Sequence, residues 1–239
     1  MLEHEKLLDR MHSLIAGWEQ DRDLRAIFLS CYVQMTANMF RVIDQGEFHD
    51  PAWVSNLVHH FADYYFDALA AYDSGLKPTP GPWLATFDAT RNPRLHVLQH
   101  LVLGINAHIN YDLCFAIEDS LRPEWSSLDT LVRQQRYEDH CHINLVIANT
   151  LDAVQDTVVE RYSPAMDLVD RLLGRLDEEL MSQMIQSWRG EVWKQALILV
   201  EGDAFERQKI SQEIETRTTN RAKVLLGSKL TWFLEDSFD

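Results

Sequence analysis

The sequence predicts an all-α protein, a single-domain multi-helix bundle over residues 1–239 with a buried central helix at about residues 94–120. Three observations carry that class. Glycine and proline are scarce, 9 and 7 in 239 residues, whereas strand-and-turn folds use both freely. Apolar residues recur at three and four, and no sustained alternation marks a strand. Pro51, Pro93, Pro123 and Pro164 each follow a polar or charged residue, where a first helical turn tolerates proline because the missing N–H has no intrahelical partner.

Each element follows from that spacing. Leu7, Leu8, Met11, Leu14, Ile15 and Trp18 share the face of a first helix, and Leu24, Ile27, Phe28, Cys31, Met35, Met39 and Val42 that of a second, ending near Gly46. Trp53, Leu57, Val58, Phe61, Tyr65, Leu69 and Tyr72 make a third, closed by Ser74-Gly75. After the loop "GLKPTPGP" a short helix covers Trp83 to Phe87, and the central helix follows. Further helices are predicted at roughly 128–160, 164–177, 178–200 and 203–226, with the acidic "RLDEEL", Asp177 to Glu179, as a solvated helix start. No repeat, low-complexity tract or composition shift marks a domain boundary.

Composition narrows the function. Hydrophobic residues make 46% and charged residues 25%, the balance of an ordinary globular protein. A net charge of −15 repels nucleic acid and anionic lipid, so neither is an expected partner. Cys31, Cys114 and Cys141 are widely spaced, without a CxxC pair or disulfide framework. The N-terminus has no signal-peptide apolar core, and no run of 18 apolar residues exists. These features place the chain in a reducing cytoplasm.

The central helix carries the chemistry. From Leu95 to Ile117 its one formal charge is Asp112, and every angular sector contains apolar residues, the pattern of a helix buried all round. His100, Gly104, His108 and Asp112 fall at steps of four, a stripe on which neighbours stand about 6 Å apart at Cβ. Gly104 opens a gap between the histidines, suited to a substrate or to a close neighbouring helix. Burying an unpaired carboxylate is costly. With no Lys or Arg between Arg94 and Arg122, the partner of Asp112 must be a histidine, a metal, an N–H donor or a residue of another helix. Elsewhere His60, Tyr64 and Asp67 share one edge of the third helix, with His59 and Asp63 turned to solvent. Asp139 and Asn144 lie at the two edges of the apolar face of a later helix, with His140 and His142 less well placed.

The run "LQHLVLGINAHINYDL", with "HFADYYFDAL" before it and "YEDHCHINLV" after it, resembles an uncharacterised bacterial family with an L-Q-H-L-x-L-G-(M/I)-N-A-H-I-N-x-D-L signature. The likeness extends through "TLDAVQDTVV", "SPAMDLVDRLLGRLDEEL" and "WRGEVWKQA", from about residue 28 to 220. It implies a helical fold and no established activity. It also implies that His60, Asp67, His100, Asn106, His108, Asn110, Asp112, Asp139 and Asn144 belong to the family pattern, whereas His4, His12, His49, His96, His140 and His142 do not.

Two readings follow. In the first, His60, His100, His108, Asp112 and Asp139 bind a divalent metal, Zn, Fe or Mn, inside the bundle, with His108 and Asp112 catalytic and Tyr64, Asp67, Asn106, Asn110 and Asn144 supporting them. The reaction would be hydrolysis of a small molecule by a metal-bound water. A metal-dependent oxygenase is the variant, disfavoured because no Glu-x-x-His pair lies on a buried face. In the second, the same residues form a structural hydrogen-bond network in a non-enzymatic module that binds a small ligand or a protein. Metal-free acid/base chemistry by the His108–Asp112 pair is a further enzyme class. A P-loop, GxGxxG, GxSxG and HExxH are all absent. The outer helix ending in "LTWFLEDSFD" is compatible with a homo-oligomer.

Overall fold

Every residue from His100 to Asn110 is buried, so the central helix has neighbours on all sides. A computed structural model describes residues 2–154, 158, 160–162 and 167–227, all helical or loop, with no strand among them. The helices are α1 (Leu2–Asp21), α2 (Arg25–Asp44), α3 (Pro51–Ser74), α4 (Gly81–Ala89) and α5 (Val97–Ala107), then α6 (Leu113–Leu121), α7 (Thr130–Val154), the single turn α8 (Glu160–Tyr162), α9 (Asp167–Glu201) and α10 (Ala204–Gly227). A π-helical turn, His108–Asp112, joins α5 to α6 without a break, so the central helix is one rod. Around it pack α2, α4 and α10 against α5, and α3 and α9 against α6, while α7 closes over α2 and α9.

Local signals explain most of the boundaries. Pro51 opens α3 and Asp50 caps it by accepting from the Trp53 N–H at 2.9 Å. Gly75 ends α3 with φ 62°, the left-handed conformation that glycine adopts without a Cβ clash. Asp129 accepts from the Val132 N–H at 2.9 Å at the start of α7.

Several expectations need correction. Asn92-Pro93 does not open the central helix: Pro93 lies in a turn, and α5 starts at Val97 behind His96, whose ring accepts from the Leu98 N–H while Gln99 reaches back to the His96 N–H. Arg122-Pro123 ends α6 instead of starting a helix. The helices expected at 164–177 and 178–200 are one continuous α9, so Asp177 to Glu179 sit inside a helix and not at a start. Ser163-Pro164 and "LTWFLEDSFD" lie outside the described residues.

By length and composition α2 is long and apolar enough to cross a membrane, yet 72% of its most apolar window is buried in the fold. Its burial follows from contact with α1, α3, α5 and α7.

Candidate functional site: a polar dyad on an apolar cavity

The four-residue spacing of His108 and Asp112 falls within the π-helical turn, where the Leu113 N–H reaches back five residues to the His108 carbonyl. Such widened turns are rare and concentrate at functional positions. Here the turn sets His108 Nδ1 2.9 Å from Asp112 Oδ2, both side chains being almost wholly buried. Trp83 of α4 donates its indole N–H to both carboxyl oxygens, each at 2.9 Å. The partner demanded by the buried carboxyl is therefore a histidine together with an N–H donor.

Burial acts on the two groups in opposite senses. It pushes the Asp112 carboxyl well above the usual carboxylate range, against the Trp83 hydrogen bond that favours the charged form. It pulls the His108 imidazole well below the usual histidine value. Both shifts favour an uncharged dyad. Whichever atom holds the shared proton, His108 Nε2 is buried without a hydrogen-bond partner. Such an orphan costs free energy unless something else satisfies it.

The ring that bears this orphan lines a cavity of about 130 Å³ bordered by α2, α3, the central helix, α7 and α9. Phe61 stacks flat on His108 with centroids 3.5 Å apart and planes 8° from parallel, and Tyr32 meets it edge-on at 4.3 Å. Most of the rest of the wall is aliphatic or sulfur-bearing, including Met35, Leu57, Ile143 and Ile185, with Phe28 and Thr36 beside them. Among the described lining residues, Arg189 of α9 is the one that carries a charge. Met35, Phe61, Ile147 and Met181 are only half-buried, so the core does not seal the cavity. Cys31 also lines it, its thiol pushed up to about 12 by burial, which keeps it protonated.

The other predicted residues go elsewhere. Asn106 donates to the Thr218 carbonyl at 3.1 Å and accepts from Asn110 at 3.2 Å, and the Thr218 hydroxyl donates to the Asn110 carbonyl at 3.2 Å. This network fastens the central helix to α10. Asp139 is buried, but its oxygens accept from the His49 and Asp50 backbone N–H groups at 2.8 and 3.0 Å, organising the start of α3. His60 is exposed and its nearest polar partner is Ser120 at 3.5 Å, whereas His59, expected in solvent, is partly buried against Phe40. Tyr64 donates to Asp119 at 2.6 Å, and Asp67 is exposed. His100 is buried with both ring nitrogens unpartnered, its pKa lowered chiefly by burial and then by His96. Cys114, one turn beyond Asn110, points its sulfur to the Val192 carbonyl at 3.8 Å, and burial raises its pKa. Among the described residues no group of three or more His, Cys, Asp and Glu side chains gathers closely enough to hold a metal ion. The dyad alone is brought together from the expected ligand set.

Around the dyad and the cavity lie residues that sequence reasoning passed over. Trp83 reads as core, and its indole N–H partner is invisible without the tertiary fold. His140 is 1% exposed, with Nε2 3.1 Å from the Arg189 carbonyl. Arg189 occupies an apolar-face position among Ile185, Val192 and Trp193, at steps of four and three. That placement is a signal: a cation inside an amphipathic stripe must be buried or must snorkel.

A family model described as a family of unknown function, DUF5995, matches residues 4–228. No curated protein and no solved structure matches the chain.

Proposed function

The chain belongs to the DUF5995 family, and on that premise we propose that it binds a small, largely apolar molecule in the cavity beside His108. The observation that carries this is the unpartnered His108 Nε2 on the wall of an apolar space of about 130 Å³. A dry cavity of about 150 Å³ accepts a molecule the size of benzene. A hydrogen bond between the orphan nitrogen and a polar atom of the guest would satisfy it, which gives the site a direction as well as a size.

Titration of the chain with toluene, benzyl alcohol and hexanol, followed by calorimetry and thermal shift, tests this. Saturable one-to-one binding should appear, and Ile143→Trp, which fills the space, should abolish it while leaving the helical circular dichroism intact. Absence of binding by every probe would sink the reading.

A second reading uses the same geometry. Asp112 engages Nδ1 of His108, so Nε2 is the nitrogen that faces a guest: it donates while the dyad is uncharged, and once the carboxyl gives up its proton it becomes a general base with an orienting carboxylate. That chemistry would survive chelation. The metal-dependent hydrolase and oxygenase readings find no converged ligand set among the described residues. Elemental analysis of protein never exposed to chelator decides them. The expectation that nucleic acid and anionic lipid are not partners belongs to this proposal through the net charge of −15, and a reducing, cytoplasmic location through the wide spacing of the three cysteines.

A further inference from the structure

Arg189 is 2% exposed, yet no described acidic side chain pairs with it. Its Nε donates to Asn144 Oδ1 at 2.7 Å, and Nη2 donates to the His140 carbonyl at 2.9 Å and lies 3.3 Å from His140 Nδ1. All of these acceptors are neutral. The remaining nitrogen, Nη1, has no partner among the described residues. Burial lowers the guanidinium to about 10, still high enough to keep it charged at neutral pH. The His140 ring beside it is held well below the usual histidine value, first by burial and then by this cation. The fold has therefore desolvated a cation and supplied it with dipoles, with no counter-charge among the described residues. An isolated buried charge is unfavourable, and a carboxylate is the partner a guanidinium fork matches best.

The position of that cation matters because Arg189 lines the same cavity as His108, on walls that are otherwise apolar or weakly polar. We propose that the occupant is a small monocarboxylate with an apolar body, a short aliphatic or aromatic acid, whose carboxylate sits on Arg189 while its body fills the space between Phe61, Ile143 and Ile185. Asn144 and His140 hold the guanidinium and are positioning residues for the anion. His108 Nε2 supplies a further hydrogen bond to a guest that carries a polar substituent. This deepens the cavity-binding function above and rests on it. Sequence reasoning placed Asn144 beside a metal; its role here is to orient a cation.

The test compares isosteric pairs on the full chain: benzoate against benzyl alcohol, and hexanoate against hexanol, by calorimetry at pH 7.5. The acids should bind at least about tenfold tighter than the alcohols, the scale of one charge-assisted hydrogen bond. Arg189→Gln should erase that preference while the alcohols still bind, and Arg189→Lys should retain part of it. Because Arg189→Gln disturbs a buried network, the wild-type acid-to-alcohol ratio stands as a measurement by itself. Equal affinities, or alcohols binding without acids, overturn the anion seat and leave the cavity reading in place. No binding by acid or alcohol removes the cavity reading, and this inference falls with it.

Discussion

The Phe28 ring of α2 rests on the bare backbone of Gly104 in α5. A Cβ at residue 104 would overlap Cγ and Cδ2 of that ring and stand 2.9 Å from Phe28 Cβ. The gap between His100 and His108 is therefore filled by a neighbouring helix. The same ring lies edge-on to His108 at 5.8 Å and forms part of the cavity wall, so close packing here sets the shape of the site.

Gly104→Ala should destabilise the chain by up to about 2 kcal/mol net, from an overpacking cost of about 1–3 kcal/mol set against the roughly 1 kcal/mol gained in helix propensity. Urea denaturation measures it. Adding Phe28→Leu to the variant should recover part of the loss, and a neutral Gly104→Ala would show that the ring yields freely.

The dyad should behave as a unit. Asp112→Ala leaves the Trp83 N–H and His108 Nδ1 unsatisfied in the core, and each orphan costs about 1–3 kcal/mol. His108→Ala leaves Trp83 still paired and should cost less through hydrogen bonding, although it also loses the Phe61 stack. A double-mutant cycle should return a coupling of about 0.5–3 kcal/mol between the two sites. Strict additivity would mean that the 2.9 Å contact has no energetic weight.

Stability should fall on mild acidification. Burial holds His100, His108 and His140 below the ordinary value of 6.5, so the unfolded chain takes up protons that the folded chain refuses. Stability is thus fully present above about pH 7.5 and declines as pH drops below 6.5, by at most about 1.4 kcal/mol per pH unit for each histidine. Asp112 acts in the opposite sense. Its raised pKa makes the folded state hold a proton above the ordinary 3.8, which favours folding as pH falls through its folded value. Urea midpoints between pH 8 and 5 should therefore decline, and Asp112→Asn should steepen the slope. A flat profile would contradict the burial of the histidines as neutral groups.

Asp139 should matter for stability and not for binding. Asp139→Ala strips the acceptors from the His49 and Asp50 N–H groups, a loss of about 1–3 kcal/mol. Affinity for the cavity probes should be unchanged. A loss of binding in a folded Asp139→Ala protein would restore this residue to the site.

Thr218→Val keeps the shape of the side chain but removes the hydroxyl donor to the Asn110 carbonyl, at an expected cost of about 1 kcal/mol. Hydrogen exchange should quicken first in the π-helical turn and the facing part of α10. Uniform protection across both would place the attachment elsewhere.

Much was legible in the residues themselves. Apolar spacing located the helices, Asp50-Pro51 and Ser74-Gly75 marked the ends of α3, and one carboxyl in an apolar run required a buried partner. These are short-range consequences of helical geometry and of the cost of desolvating charge, and both act over a few residues. Errors arose where a local signal competed with another. Asn92-Pro93 satisfied the rule for a helix start, but His96 and Gln99 offered a reciprocal cap a turn later, and that cap won. "RLDEEL" suggested the start of a new helix, yet α9 runs through it from Asp167 to Glu201, and a glycine inside it, Gly190, is simply carried.

Residue spacing alone established the all-α class, the burial of the central helix and the adjacency of His108 and Asp112, because residues four apart on one helix are neighbours in any fold. The packed fold was needed to show that His108 and Asp112 pair directly, that Trp83 completes the pair, that Asp139 and His60 stand apart from it, and that Arg189 shares its cavity. Most of those relations join residues tens of positions apart in sequence. They depend on how α4, α7 and α9 pack against the central rod, and that packing is chosen by the sum of many weak apolar contacts that no single spacing records.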